Sequence, residues 1–484
     1  MAVPIFGAIF IPIALFVFLF RPQYLLSLMV VGSVFAGASV LDVSVGDSVF
    51  GLQPYYFVAA LLAVRAVPFL LGHRHVGPRL DPAVGKIHSS LIYFWSWATV
   101  SAFLFPVIFR GVRVIDPRLG VEDVLAALAL EGEATPLHWS LGNLGQAVYL
   151  TLSVIALLYV IKSGDHGNGR QALKALRVAI MIVAVIALLQ SVAAWKGWDF
   201  PYDFFNNNPA YAQNYAASFE DIRRVNSTFT EASYAGGFLA AGALGLLATR
   251  LSGGPGNMIM IFLVIVGLIL TTATTGYAVF LIGGVLLFFY LRGGSRRKKP
   301  SRRIVWRSML AASLVAVILI ALLIAVPPLR QAVLETTVNK VDTVSFGARA
   351  ALDVYAIKLL FDTYGVGVGL GSNRPATLPA YLLGNVGIIG TILFVLYIAR
   401  LVSGLVTLSR WPGAGSYVMV IWMLSGILIA QAIALPDLSW PPLWAVLILA
   451  TSMLASQSDP SNAASKVAVV VPVKHSPSAD PEPA

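Results

Sequence analysis

Apolar runs of roughly 17–25 residues recur along nearly the whole chain, and each is long enough to cross a bilayer as a helix. They fall at about 4–20, 24–42, 54–72, 88–109, 142–162, 174–194, 233–249, 257–272, 276–291, 308–326, 381–399, 416–434 and 440–456. The pattern predicts an all-α fold, a polytopic integral membrane protein with about 13 transmembrane helices. Residues 1–20 have the apolar core of a signal sequence. No Lys or Arg precedes that core and no small-residue cleavage site follows Phe20, so it reads as an uncleaved first span. Composition agrees with the pattern. Of 484 residues, 58% are hydrophobic and only 11% charged, with mean hydropathy +0.82, where a soluble domain carries roughly 25% charge. Residues 1–456 read as a single polytopic membrane domain. The tail 457–484, rich in Ser, Pro, Ala and Asp, reads as a disordered cytoplasmic end.

Charge adds an orientation. The segment RGGSRRKKPSRRIVWR, from Arg292 to Arg307, carries eight Lys or Arg. By the positive-inside rule it is cytoplasmic. Alternate threading from there places Arg21, 73–87, 163–173, 250–256, 400–415 and the tail inside. It places 43–53, 110–141, 195–232, 327–380 and 435–439 outside. Counted over the whole chain on that threading, the inner side holds 22 Lys/Arg against 5 Asp/Glu, and the outer side 11 against 17. The net charge of +11 is therefore a topology signal and not a nucleic-acid footprint. The N-terminus is expected outside and the C-terminus inside.

Candidate chemistry lies in the two long outer loops. The spans hold almost no ionisable residues, which argues against an ion-coupled transport pathway; Arg65 sits near a cytoplasmic end and can snorkel. The loop 195–232 mixes Trp195, Trp198, Tyr202, Phe204, Phe205, Tyr211 and Tyr215 with Asn206, Asn207, Asn208 and Asn214. Such a mixture suits sugar rings and hydroxyls, or an interfacial aromatic belt. The loop ends in RRVNSTFTEASYAGGFLAAG. There Thr228 and Glu231 match the S/T-x-x-E capping box at the start of a helix. A helix start at the outer interface also favours an anion, and Arg223 and Arg224 just before it can hold phosphate through their planar forks. Solvated or lipid-headgroup arginines are the alternative. In the loop 327–380, Arg349 and Asp353 share a face at i,i+4 spacing of a probable helix. Gly365, Gly367, Gly369 and Gly371 follow at alternate positions. The run either lets backbone N–H groups cradle an anion or makes a packing turn. It is not a P-loop. With no cysteine, no His cluster at metal-ligand spacing and no D-x-D, an enzyme here is expected to need neither metal nor cofactor.

R-x-x-S-T-F-x-E-x-S-x-x-G entering a membrane helix resembles the O-antigen polymerase and ligase superfamily, the Wzy type. So does an Arg-bearing helix followed by G-x-G-x-G-S and the span YLLGNVGIIGTILF. The turn from Thr271 to Gly276 also looks like that family's Ser/Thr-Gly turn. The resemblance covers roughly 195–400. It implies a fold similar to the C-type membrane glycosyltransferases and a sugar donor linked through pyrophosphate to a polyprenol, used at the periplasmic face of the bacterial inner membrane. Arg224 (or Arg223) and Arg349 would then neutralise the leaving pyrophosphate, and Glu231 or Asp353 would orient or deprotonate the acceptor hydroxyl. Ser227, Gly367, Gly369, Gly371, Ser372, Arg374 and Trp198 are the candidate substrate-binding residues. Ligases of this group usually carry a His before the span that follows the glycine loop. Arg374 to Pro379 has none, which favours a polysaccharide polymerase. A ligase handing the finished glycan to another acceptor and a non-enzymatic flippase of lipid-linked sugar are the alternatives. Expected partners are the lipid-linked oligosaccharide, membrane lipids, and other assembly proteins such as a flippase or chain-length regulator.

Overall fold

A computed structural model of the chain describes residues 1–45, 48–70, 82–115, 134–162, 168–210, 218–219, 222–254, 256–292, 344–409 and 415–456. Within them the helices are α1 Ile5–Phe20, α2 Leu25–Gly32, α3 Pro54–Leu70, α4 Pro82–Ile108, α5 Leu141–Lys162, α6 Asn168–Lys196, the short α7 Tyr202–Phe205, α8 Ala232–Leu251, α9 Met258–Leu270, α10 Thr274–Arg292, α11 Val344–Asp362, α12 Leu378–Ser409, α13 Gly415–Ile433 and α14 Pro441–Ala455. Seven of them are long and apolar enough to cross a membrane, and α1, α3, α9 and α14 are shorter apolar helices. The fold is an all-α polytopic membrane protein, as the hydropathy implied. Every expected run except 308–326 and the second half of 24–42 coincides with a helix. The run 308–326, most of the basic loop 292–307 and the tail 457–484 lie outside the described residues.

The second run departs from expectation. A span was expected over 24–42, but α2 ends at Gly32 and a hairpin of Leu41–Val45 with Ser48–Leu52 follows. The residues between are buried and non-helical. The Gly37 N–H donates to Thr228 O at 2.9 Å, and Gly37 O accepts from the Asn208 N–H at 3.1 Å. A Cβ at Gly37 would sit 2.6 Å from Asn206 Nδ2. Irregular backbone survives at this depth only where protein satisfies its polar groups, and the 206–228 segment does that.

α8 lies at the centre. Seventeen of its 20 residues are buried, because its small side chains let neighbours approach closely. A Cβ at Gly236 would lie 2.8 Å from Ala273 Cβ, and one at Gly245 would lie 2.9 Å from Met419 O. These contacts also fix its two ends. At its start, Tyr234 reaches Asp437, just before α14, and Gly236 faces the 271–276 turn between α9 and α10. At the opposite end, Thr249 Oγ1 donates to Gly415 O, where α13 begins. Arg250 and Arg292 fall in the last turns of α8 and α10, toward that second end.

α12 is broken at Gly387 (φ 67°, ψ −168°), within a span expected to be one helix. The glycine run repairs the break. Val368 N–H donates to Gly384 O, Gly369 N–H to Asn385 O, and Ile388 N–H to Gly365 O, at 2.8–2.9 Å. Trp97 Nε1 donates to Val386 O at 2.8 Å. So the carbonyls of Gly384, Asn385 and Val386 and the N–H of Ile388 are paired within the protein, as hydrocarbon surroundings require.

Candidate functional site

The start of α8 is built by side chains that arrive from far away in sequence. Ser227 adopts φ 52° because its backbone is gripped on both sides. Its N–H donates to Gln190 Oε1 (2.8 Å), its O accepts from Gln190 Nε2 (3.0 Å), and its hydroxyl donates to Val183 O (2.8 Å). The Thr228 hydroxyl donates to Val34 O. Asn226 and Asn206 both donate to Phe229 O. These bonds correct the capping-box expectation. The residue before the helix is Glu231, in an extended conformation and without a side-chain cap. Thr228 is engaged elsewhere, so no reciprocal box forms. Ser227, expected at the substrate, is fully buried and locked into the frame.

Freed from capping, the Glu231 carboxylate is half-exposed. Its Oε2 accepts from Ser233 Oγ at 3.1 Å and lies 4.0 Å from Arg349 Nη2. The ion pair is 39% and 33% exposed on its two sides, so it contributes only about 0–1 kcal/mol to stability. Arg224 joins the same cluster. Burial pushes its pKa below the usual guanidinium range, the charge of Glu231 opposes that shift, and the like charge of Arg349 adds to it. Tyr277, in the first turn of α10, also lies within electrostatic reach of Arg224, with its hydroxyl donated to Ile269 O at 2.8 Å. Thus Arg224, Glu231 and Arg349 meet at one end of the bundle although more than a hundred residues separate the first from the last.

A second charged group adjoins the first. Arg374 pairs with Asp437 at 3.3 Å, and Asp437 Oδ2 also accepts the Tyr234 hydroxyl. Tyr234 stands three residues after Glu231 at the start of α8, so the two groups share one end of the bundle. Sequence reasoning passed over Asp437. It is the only acid of its short loop 435–439, and its partners Tyr234 and Arg374 lie far off in the chain.

Other candidates have structural duties. Asp353 Oδ1 accepts the N–H groups of Ala376 (2.7 Å) and Thr377 (3.1 Å), just ahead of α12. It clamps α11 to α12, and no ion pair joins it to Arg349 among those described. The glycine run is a packing junction and not an open anion cradle. Gly365, Gly367, Gly369 and Gly371 all have positive φ. The N–H groups of Gly365, Val366, Gly367, Val368, Gly369 and Leu370 all donate to protein acceptors. A Cβ at Gly367 would lie 2.6 Å from Asn385 O, and one at Gly371 2.8 Å from Gly142 O. Ser372 is buried, with its N–H on Asn385 Oδ1 and its hydroxyl accepting from Asn143 Nδ2. The asparagines of loop 195–232 are likewise stitches. Asn207 Oδ1 accepts from the Ser39 N–H, and Asn208 Nδ2 donates to Gly51 O. Phe204 and Phe205 pack on Phe6 and Phe35. Trp198 remains exposed, and no contact links it to the arginine cluster. Arg223 backbone lies in a two-residue strand beside Ser218. Tyr211, Asn214 and Tyr215 are outside the described residues.

A helical membrane bundle with guanidinium and carboxylate groups gathered at one end is the class that fold and site define. Residues 140–345 match the family model of WcaD colanic acid polymerase. The match bears out the resemblance to the Wzy-type O-antigen and exopolysaccharide polymerases. Polymerisation of repeat units in exopolysaccharide synthesis, by a glycosyltransferase-type polymerase acting on lipid-linked repeat units in membranes, is the activity this family carries. The matched stretch holds Arg224, Glu231 and Tyr277; Arg349, the glycine run, Arg374 and Asp437 follow it. No curated protein matches the chain.

Proposed function

We propose that this protein polymerises polyprenyl-pyrophosphate-linked oligosaccharide repeat units into exopolysaccharide or O-antigen, at the periplasmic face of the bacterial inner membrane. The observation that carries the reading is the meeting of Arg224 and Arg349 around Glu231 at one end of the bundle. The acceptor hydroxyl oxygen attacks the anomeric carbon of the donor sugar. The bond from that carbon to the pyrophosphate oxygen breaks, and its electron pair leaves with the polyprenyl pyrophosphate. Arg224 and Arg349 meet the charge that grows there, and arginine does so bidentately and without a proton of its own to lose. Glu231 takes the acceptor proton and passes it to solvent. Arginines supply the positive charge, so the step needs no metal. The end of the bundle with Arg250 and Arg292 faces the cytoplasm on this reading.

The test is polymer synthesis by variants at normal membrane abundance. Arg224→Ala and Arg349→Ala should each lose about 10²–10³-fold, the usual effect of removing one well-placed charge-stabilising donor. The lysine variants, which keep the charge without the fork, should retain part of the activity. Full-length polymer from both alanine variants would remove the enzymatic reading. A non-enzymatic flippase would instead form no glycosidic bond when the purified protein and lipid-linked repeat units share one detergent phase.

A further inference from the structure

Beside the arginine cluster lies a recess that the reaction above does not use. It is lined by Gln53, Thr230, Tyr234, Asp437, Ser439 and Trp440 among others. Gln53 and Trp440 are among those more than nine-tenths buried, at 4% and 3% exposure. Gln53 donates its Nε2 to Ala36 O at 2.8 Å, yet among the described residues neither its Oε1 nor Trp440 Nε1 has a hydrogen-bond partner. Buried polar atoms are rarely left so. The orphans are complementary, since one is an acceptor and the other a donor. A hydroxyl is the group that serves both at once. The recess carries no basic lining group, unlike the neighbouring site, and it holds about one water-sized group. It therefore suits a neutral hydroxyl or hydroxymethyl arm and not a phosphate or a whole ring.

We propose that this recess is the acceptor-sugar subsite, seating one hydroxyl or hydroxymethyl group of the acceptor between Gln53 Oε1 and Trp440 Nε1. The inference rests on the polymerase reading. The site then has two poles. Arg224 and Arg349 hold the donor pyrophosphate, the recess holds the acceptor sugar, and Glu231 and Tyr234 lie between. Asp437 lines the recess and is held by Arg374 and Tyr234, so it adds an acceptor for a neighbouring sugar hydroxyl.

The experiment uses the full chain in lipid nanodiscs and the variants Trp440→Phe and Gln53→Met, which keep ring and length. The probes are lipid-linked repeat units extracted from polymerase-deficient cells, the same oligosaccharide released from its lipid, and polyprenyl pyrophosphate. Expected are a KM for chain extension raised about 5- to 10-fold, the effect of one lost hydrogen bond, and kcat within about threefold. Saturation-transfer signals from the free oligosaccharide should be strong with the unaltered protein and weakened in both variants. Inhibition by polyprenyl pyrophosphate should not change. Unaltered KM and unaltered oligosaccharide signals would mean the recess holds only water, and would overturn the subsite. So would a fall in kcat and melting temperature with KM fixed, which marks a structural role. The oligosaccharide signal needs no turnover. Its loss in the variants would therefore uphold the recess even if the arginine variants disproved polymerisation, and its absence in the unaltered protein would sink the subsite alone.

Discussion

Replacing Glu231 by glutamine separates chemistry from architecture at the mouth of α8. The side chain makes no helix cap. Its described links are the 3.1 Å bond from Ser233 and the 4.0 Å pair with Arg349. Glutamine keeps an oxygen for Ser233 and loses only a half-exposed ion pair, worth about 0–1 kcal/mol. The melting temperature should therefore move by less than about 4 °C. A glutamine cannot take a proton. If Glu231 is the base, extension should fall about 10²–10⁴-fold, which is about 2.7–5.4 kcal/mol of barrier. Two measurements decide it: polymer ladders from cells carrying the variant at equal membrane abundance, and initial rates of the purified protein with lipid-linked repeat units. Extension at more than a tenth of the normal rate, with unchanged melting, would refute the assignment of Glu231 as base. Glu231→Ala should behave like Glu231→Gln, because no capping bond is lost in either.

Gly369→Ala forces a Cβ to 2.6 Å from Ser101 O at φ 103°. It should destabilise by at least about 2 kcal/mol from backbone strain and overlap, read as a lower melting temperature; unchanged melting would contradict the packing-junction reading. Asn385→Ala strips partners from the Ser372 and Asn373 N–H groups and the Asn373 and Tyr381 carbonyls. At about 1 kcal/mol per bond it should cost roughly 3–4 kcal/mol and leave little folded protein in the membrane. For orientation, Asp199→Cys and Ser252→Cys introduce single thiols at exposed positions of a chain without cysteine. An impermeant thiol reagent on intact inner-membrane-exposed cells should label Asp199→Cys and spare Ser252→Cys, and the reverse pattern would invert the topology.

The helices were legible because hydrocarbon imposes one demand on every span, and continuous apolar composition records it. The breaks were less legible. α2 stops at Gly32 because the chain beyond it bonds to residues 206–228, and nothing local to 33–40 announces a partner so distant. The capping box failed for the same reason. T-x-x-E is a local pattern, and Val34, 194 residues away, takes the Thr228 hydroxyl. The alternate glycines were visible as a spacing, but the broken helix they satisfy was not. Glu231, Arg224 and Arg349 stood out because charge is scarce. Asp437, Gln53 and Trp440 did not, since a single polar or aromatic residue in a short loop carries no periodicity and its meaning comes from what folds against it.

The clamp at Asp353 explains why the arginine site can be both open and ordered. Arg349 lies one turn from Asp353 on α11. Asp353 holds the N–H groups of Ala376 and Thr377, and Arg374 just before them is tied to Asp437. Position therefore passes from α14 through Asp437, Arg374 and Asp353 to Arg349. The links are the Asp437–Arg374 pair, the two hydrogen bonds to Asp353 and the turn of helix between Asp353 and Arg349. The charges are distributed accordingly. Asp437 pairs with Arg374, and Arg224 and Arg349 both lie within reach of the Glu231 carboxylate. An electrostatic site stabilises a transition state most when its charges are fixed before the charge develops, because no reorganisation is then needed during the step. On the proposed reading, the bonds at Asp353 and the guanidinium groups of Arg224 and Arg349 form one arrangement: the frame holds Arg349 where a departing pyrophosphate would need it, and Glu231 stays accessible between the two poles.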